Sequence, residues 1–205
     1  MKSMNTIEIY RTLPEQIAAR LRREVLSNKL KPGDPLREAD LSQRFGVSRG
    51  PVREAFRQLT QQGLLVLEPN KGARVAQNPS VEVRPLVVQL RRTIETFVLD
   101  SIFDRITEID IGRWEDILAD IYTACQNNDV DALTDCDLLF HQAIIQSHDD
   151  KDIFTLWQPI AMRMMMQYTR HGDILESYRE HKRILDAIRS GDKRGAIDAL
   201  YANIQ

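Results

Sequence analysis

The chain has 205 residues, 42% hydrophobic and 28% charged, with a formal net charge of −2. That is the composition of an ordinary globular protein with room for one large domain or two small ones. No apolar run is long enough to span a bilayer and no signal-peptide core follows Met1, so a cytoplasmic protein without a membrane partner is expected. Cys125 and Cys136 are too few and too unpatterned for a disulfide framework or a Cys-rich zinc site, and read as two reduced packing thiols.

The near-neutral total hides an asymmetry. Residues 1–78 hold 14 Lys+Arg against 8 Asp+Glu, a balance of +6, and the remainder holds 14 against 22, a balance of −8. A basic N-terminal part suits a polyanionic partner, which an acidic C-terminal part would repel.

Thr12-Leu13-Pro14-Glu15 has the form of a capping box, with proline in the first turn. The helix it starts shows one apolar face, Leu13, Ile17, Leu21 and Val25, and stops at Lys31-Pro32-Gly33-Asp34-Pro35. A short helix from about Arg37 to Phe45 follows, with Leu41 and Phe45 one turn apart and Gly46 suited to its C-cap. Ser48 is the N-cap of a third helix, in which Val52, Ala55, Phe56 and Leu59 fit the i, i+3, i+4, i+7 template before Gly63. Short helix, tight turn and longer helix make a helix-turn-helix. Leu64-Leu65-Val66-Leu67 and Ala73-Arg74-Val75 flank Pro69-Asn70-Lys71-Gly72 and predict a β-hairpin wing.

Asn78-Pro79-Ser80 reads as a linker, and Pro85 suits the first turn of the next helix. The expected organisation is a winged helix-turn-helix over 1–77, a linker over 78–84 and an antiparallel all-α bundle over 85–205, a mainly α fold with one small hairpin. Six apolar periodicities mark the bundle. They are Leu86, Leu90, Ile94, Phe97 and Ile102; Ile111, Trp114, Leu118, Ile121 and Cys125; Leu133, Phe140 and Ile144; Trp157, Ile160 and Met164; Ile184, Leu185 and Ile188; and Ala196, Leu200 and Ile204. Gly191-Asp192 ends the fifth helix and caps the sixth. The chain stops two residues after Asn203, abrupt for a bundle helix, as a trimmed end would be.

Arg49, Arg53 and Arg57 form a basic stripe at the start of the second helix of the helix-turn-helix, where side chains reach base edges and backbone N–H groups face phosphate. Arg49 suits a bidentate contact to guanine, and Arg53, one turn deeper, reaches a base or a phosphate. Ser48 leaves the helix end free to approach the backbone, and Gly50 adds no bulk. Lys71 and Gly72 at the wing tip suit a phosphate or minor-groove contact. The partner these residues imply is double-stranded DNA. The head has little surplus apolar surface, so dimerisation is expected through the helical domain, with a two-fold protein meeting a palindromic site.

In the bundle, Asp137 and His141 fall one turn apart on an apolar stripe with Phe140 and Ile144, His181 precedes Ile184 and Leu185, and Asn203 lies between Leu200 and Ile204. Four inward polar groups need partners, because burying them alone costs several kcal/mol. From spacing, two readings stand side by side: an N/O site for a divalent ion, or a satisfied hydrogen-bond network. Two histidines and a carboxylate are also the ligand set of non-haem iron oxygenases, but no separate acid, base or nucleophile lies near, so a sensor is expected rather than an enzyme. A regulator with a degenerate pocket, binding DNA constitutively, is the other alternative.

The run Gly46-Val47-Ser48-Arg49-Gly50-Pro51-Val52-Arg53-Glu54-Ala55, with Leu59, Gly63-Leu64 and Asn70-Lys71-Gly72, resembles the signature of the GntR family of bacterial transcription factors. The resemblance puts Arg49 and Arg53 on the family's DNA-contacting arginines and Gly72 on the wing tip. In the fatty-acid-responsive branch an arginine stands where this chain has Ala39, so that contact is absent or passes to Arg37. Asp137-Leu138-Leu139-Phe140-His141 and His181, Ile184, Ala187, Gly191-Asp192 and Ala196 are similar to the FCD effector domain of these regulators. That resemblance implies a divalent metal, zinc or nickel, helping to hold a small carboxylate effector. Asp137, His141 and His181 match three ligands, and Asn203 stands where a third histidine is expected, its amide oxygen a weaker ligand. Arg91 matches a family arginine near the effector cavity, where it holds a carboxylate or forms a salt bridge with an acidic neighbour. Arg163, on the Met-rich fourth helix of the bundle, is a further effector candidate.

Overall fold

A computed structural model of the chain describes residues 12–69, 71–166 and 173–205, in two compact units, Met1–Gln77 and Asn78–Gln205.

In the first unit α1 (Leu13–Leu26) opens on the capping box: the Glu15 carboxylate accepts from the Thr12 N–H at 2.8 Å, and Pro14 lies in the first turn. Its buried face is Ile17, Ala18, Leu21 and Val25. Leu13, expected on that face, is exposed at the first helical position. Next, α2 (Glu38–Phe45) ends at Gly46, whose φ of +67° is the left-handed value a helix stop of this kind requires. Then α3 (Arg49–Gln61) follows Ser48 and buries Val52, Ala55, Phe56 and Leu59. This helix packs on α1 and α2, so one apolar face closes the head's core.

The wing strands β2 (Leu65–Glu68) and β3 (Gly72–Val75) pair antiparallel, Leu65 opposite Val75 and Glu68 opposite Gly72. Asn70, expected in a turn between them, lies outside the described residues. A third strand, β1 (Pro35–Leu36), pairs with the other edge of β3 and makes a three-stranded sheet of order β1-β3-β2 where a hairpin was expected. Two residues opened by a proline give no periodic signal, and they sit where the sequence reads as a helix stop.

The second unit contains α4 (Arg84–Ile102), α5 (Glu108–Gln126), α6 (Val130–Gln146), α7 (Lys151–Met165), α8 (Leu175–Arg189) and α9 (Lys193–Asn203). These correspond to the six apolar periodicities. Packing pairs α5 with α6 and α8, α8 with α9, and α4 with α6, α7 and α9. The Asp192 side chain accepts from the Gly195 N–H at 2.9 Å and caps α9 after Gly191, at φ +75°. On α4 the expected apolar stripe holds only in part, with Ile102 buried and Ile94 half-buried. Leu86, Leu90 and Phe97 are exposed, and the buried face is Arg91, Glu95, Val98, Leu99 and Ile102.

Among the described residues no helix is long and apolar enough to cross a membrane. Both cysteines are free thiols, and burial, reinforced by Asp120 and Asp135, pushes the Cys136 thiol up to about 11. Such a thiol is a poor nucleophile, in keeping with a packing role.

Candidate nucleic-acid interface and candidate metal centre

In the head, the start of α3, the start of α2 and the wing enclose an open cleft of about 950 Å³. Its lining includes Arg37, Arg49, Arg53, Lys71 and Gly72, brought together from separate elements, and also Arg57 and Arg74. These cations are not equivalent. Arg53 makes a bidentate pair with Glu38, both contacts at 2.9 Å. Arg74 bonds Glu68 at 3.0 Å and the Gly33 carbonyl at 2.5 Å. Arg57 reaches Glu54 at 3.4 Å. Among the described residues Arg37, Arg49 and Lys71 form no ion pair, and all three are exposed. Hydrogen bonds from Arg53, with its charge, hold the Glu38 carboxyl below its ordinary range, so the pair is ionised near neutrality.

Ser48 and Gly50 lie at the start of α3, outside the cleft lining. Ser48 is the N-cap without a side-chain capping bond, so its hydroxyl is not used up by the helix. A Cβ on Gly50 would meet only the Ser48 Oγ, at 4.0 Å, so nothing within the fold demands glycine there. Gly72 is the opposite case. It has φ +101°, and a Cβ would collide with the Leu36 carbonyl oxygen of β1, so sheet geometry alone accounts for it.

In the helical unit α6 presents Asp137 and His141 one turn apart and α8 presents His181, all three buried, with one ligand atom from each lying within 4.8 Å of the others. The two rings are held alike. His181 Nδ1 lies 2.7 Å from the Ser177 carbonyl oxygen, which only accepts, so Nδ1 carries the proton and Nε2 keeps the lone pair. That Nε2 is 3.4 Å from Asp137 Oδ1, long for a hydrogen bond. His141 Nδ1 is 2.5 Å from Glu95 Oε2, which leaves its Nε2 as the ligand atom. Histidines tied at Nδ1 to a carboxylate or carbonyl, so that Nε2 is the atom offered for ligation, are the arrangement seen around bound metals. Two imidazoles and a carboxylate fit a divalent ion of borderline hardness.

Glu95 was not anticipated. Its second oxygen accepts from Arg91 Nε and from Trp157 Nε1, each at 2.6 Å. Burial pushes the carboxyl up, but the Arg91 guanidinium and then His141 outweigh it and hold it at about 2. Its only trace in the sequence is the four-residue spacing from Arg91. Arg91, expected beside an effector, is 2% exposed and turned into the core, with Nη1 3.5 Å from Met164 Sδ. Of the two roles open to it, the structure contains the salt bridge.

Asn203 does not join the three ligand atoms through its amide nitrogen, which donates to Glu180 Oε2 at 3.3 Å at the half-buried end of α9. Arg163 is half-buried on α7, with no ion pair among the described residues.

The described residues thus form a helix-turn-helix with a wing and a basic cleft, continued in the same chain by an all-helical unit with a buried polar centre. Residues 13–75 match the family described as bacterial regulatory proteins, gntR family, and residues 86–205 match the FCD domain. The chain belongs to the GntR family of bacterial regulatory proteins, in the branch that carries an FCD domain.

It is 35% identical over 135 residues to the HTH-type transcriptional repressor RspR of Escherichia coli K12, an alignment spanning 66% of this chain and 59% of that relative. It is 29% identical over 201 residues to the gluconate operon transcriptional repressor of Bacillus subtilis 168, covering 92% of this chain and 80% of that one. With the galactonate operon transcriptional repressor of E. coli K12 the identity is 27%, covering 93% of each. The solved structure titled E. coli McbR/YncC shares the fold, with a TM-score of 0.81 at 20% identity over 95% of this chain and 94% of that one. These families and relatives are transcriptional regulators, not enzymes, and the oxygenase alternative is set aside.

Proposed function

We propose that the chain is a homodimeric repressor that reads a palindromic operator and changes its DNA affinity when a small carboxylate metabolite binds in the helical unit. Arg49 reads a base edge, Arg37 and Lys71 meet the phosphate backbone, and Arg53 is presented by Glu38. Such a protein works in the cytoplasm, where its operator is. The outward stripe of Leu86, Leu90 and Phe97 on α4 supports pairing of two copies through the helical unit.

The observation that carries the effector half is the matched pair of histidines, each tied at Nδ1, with Nε2 facing Asp137. Asp137, His141 and His181 hold a divalent ion, zinc or nickel. When bound, the ion supplies Lewis acidity and open positions for a carboxylate oxygen. Asn203 contributes its amide oxygen once it leaves Glu180, and Arg163 contributes positive charge to the anion. Relatives named for gluconate and galactonate operons support a hydroxylated acid as the class of effector.

The test is titration with zinc or nickel after exhaustive chelation, followed by calorimetry and thermal melting. The parent takes up the ion and melts higher, His181→Ala loses both effects, and Asn203→His gains affinity because imidazole replaces an amide oxygen. No uptake by the parent and none gained by Asn203→His overturns the metal centre. Equal destabilisation by His181→Ala with and without chelator shows a hydrogen-bond network instead.

A further inference from the structure

Three donors from three helices converge on one carboxylate. Arg91 of α4 and Trp157 of α7 both donate to Glu95 Oε1, and His141 of α6 meets Oε2. The carboxylate is 1% exposed, out of reach of bulk water. Its two oxygens are therefore divided: one is saturated by donors that cannot accept, and the other is left for His141.

We propose that Glu95 is a positioning residue, which decides which nitrogen of His141 faces Asp137 and His181, and that Arg91 and Trp157 hold it to that task. The consequence for metal rests on the metal centre proposed above. A neutral imidazole has two tautomers of similar energy, and an acceptor fixed at Nδ1 selects the one whose Nε2 is free to ligate. Arg91 thereby acts through Glu95 and not as a clamp on an effector. Its Nε is committed to the ion pair, and its Nη1 packs against the Met164 and Met165 sulfurs.

Glu95→Gln tests this with almost no change of shape. Arg91 and Trp157 both demand an acceptor, so they capture the new amide oxygen and leave the NH2 group pointing at His141 Nδ1. An amide nitrogen only donates. The proton on the ring must then move to Nε2, the atom meant for the metal.

In metal-free full-length protein, ring ¹⁵N shifts read in mildly alkaline buffer show His141 protonated at Nδ1 in the parent and at Nε2 in Glu95→Gln. Zinc affinity falls about 10–100-fold. Should the lone substitution strand Arg91 and prevent folding, Glu95→Gln combined with Arg91→Met carries the same expectation, because Trp157 still claims the oxygen. An unchanged tautomer in a folded Glu95→Gln variant overturns the proposal. Parental zinc affinity in that variant overturns it too, while leaving the metal centre standing. A parent that binds no zinc yet shows the tautomer exchange upholds Glu95 and removes only the metal reading.

Discussion

The same two functional groups meet in both units with opposite consequences. In the head Arg53 grips Glu38 with two bonds, and their side chains are 56% and 24% exposed. In the bundle Arg91 grips Glu95, and their side chains are 2% and 1% exposed. Water competes for the first pair and screens it, so the guanidinium remains available to a phosphate or a base. The second pair has no solvent to fall back on, and each partner exists on the condition of the other. A surface ion pair is a way of presenting an arginine; a buried one is a way of committing it.

The sharpest way to break this contrast is Arg91→Ala. It leaves Glu95 in the core without its main counter-charge, and the cost of breaking a buried pair is about 3–5 kcal/mol. Chemical denaturation of the full chain should register that loss in the helical unit. A loss of the size typical for exposed pairs would mean that water reaches Glu95 and that the two pairs are alike.

Neither pair is named in full from the sequence: Arg53 is read without Glu38, and Arg91 is given an acidic neighbour without Glu95 being singled out. Arg49, Arg53, Lys71 and Gly72 are fixed by local pattern: Gly46 stops α2, Ser48 starts α3, and the turn after Pro69 sets the wing. Asp137, His141 and His181 also stand out, because a polar residue on an apolar stripe is conspicuous. Glu95 is hidden because periodicity finds an apolar face without saying what covers it. On α4 the stripe of Leu86, Leu90 and Phe97 reads as the core face, whereas the fold exposes those three and packs Arg91 and Glu95 inward beside Val98, Leu99 and Ile102. Strand β1 is hidden for another reason: its pairing with Ala73 and Arg74 joins residues distant in the chain and leaves no local signal.

Arg49→Ala probes the free cations of the head. Losing a bidentate base contact costs about 1–3 kcal/mol of operator binding and blurs discrimination at a single base pair, with no loss of fold. Operator and single-mismatch duplexes titrated at fixed salt measure both. If affinity and base preference stayed parental, the unpaired arginine would not be the reader and the paired Arg53 would inherit the role.

The smallest effect is expected from Glu38→Gln, and it sharpens the contrast most finely. Stability should hardly change, because solvent replaces what the carboxylate gave. DNA binding should change in kind. With Glu38 ionised, Arg53 is neutralised and aimed; with glutamine it is a free cation in a cleft that already holds Arg37, Arg49 and Lys71. One added phosphate contact steepens the dependence of log affinity on log salt by about 0.9. Binding to random duplex should tighten at low salt, and operator binding should tighten less, because an arginine no longer held by two bonds loses its orientation toward one position. The ratio of specific to non-specific affinity therefore falls while both absolute affinities rise. Anisotropy titrations of operator and random duplex across a salt series separate these terms. Parallel salt slopes with an unchanged ratio would mean that Arg53 faces no DNA and that its pair with Glu38 serves only to join α2 to α3.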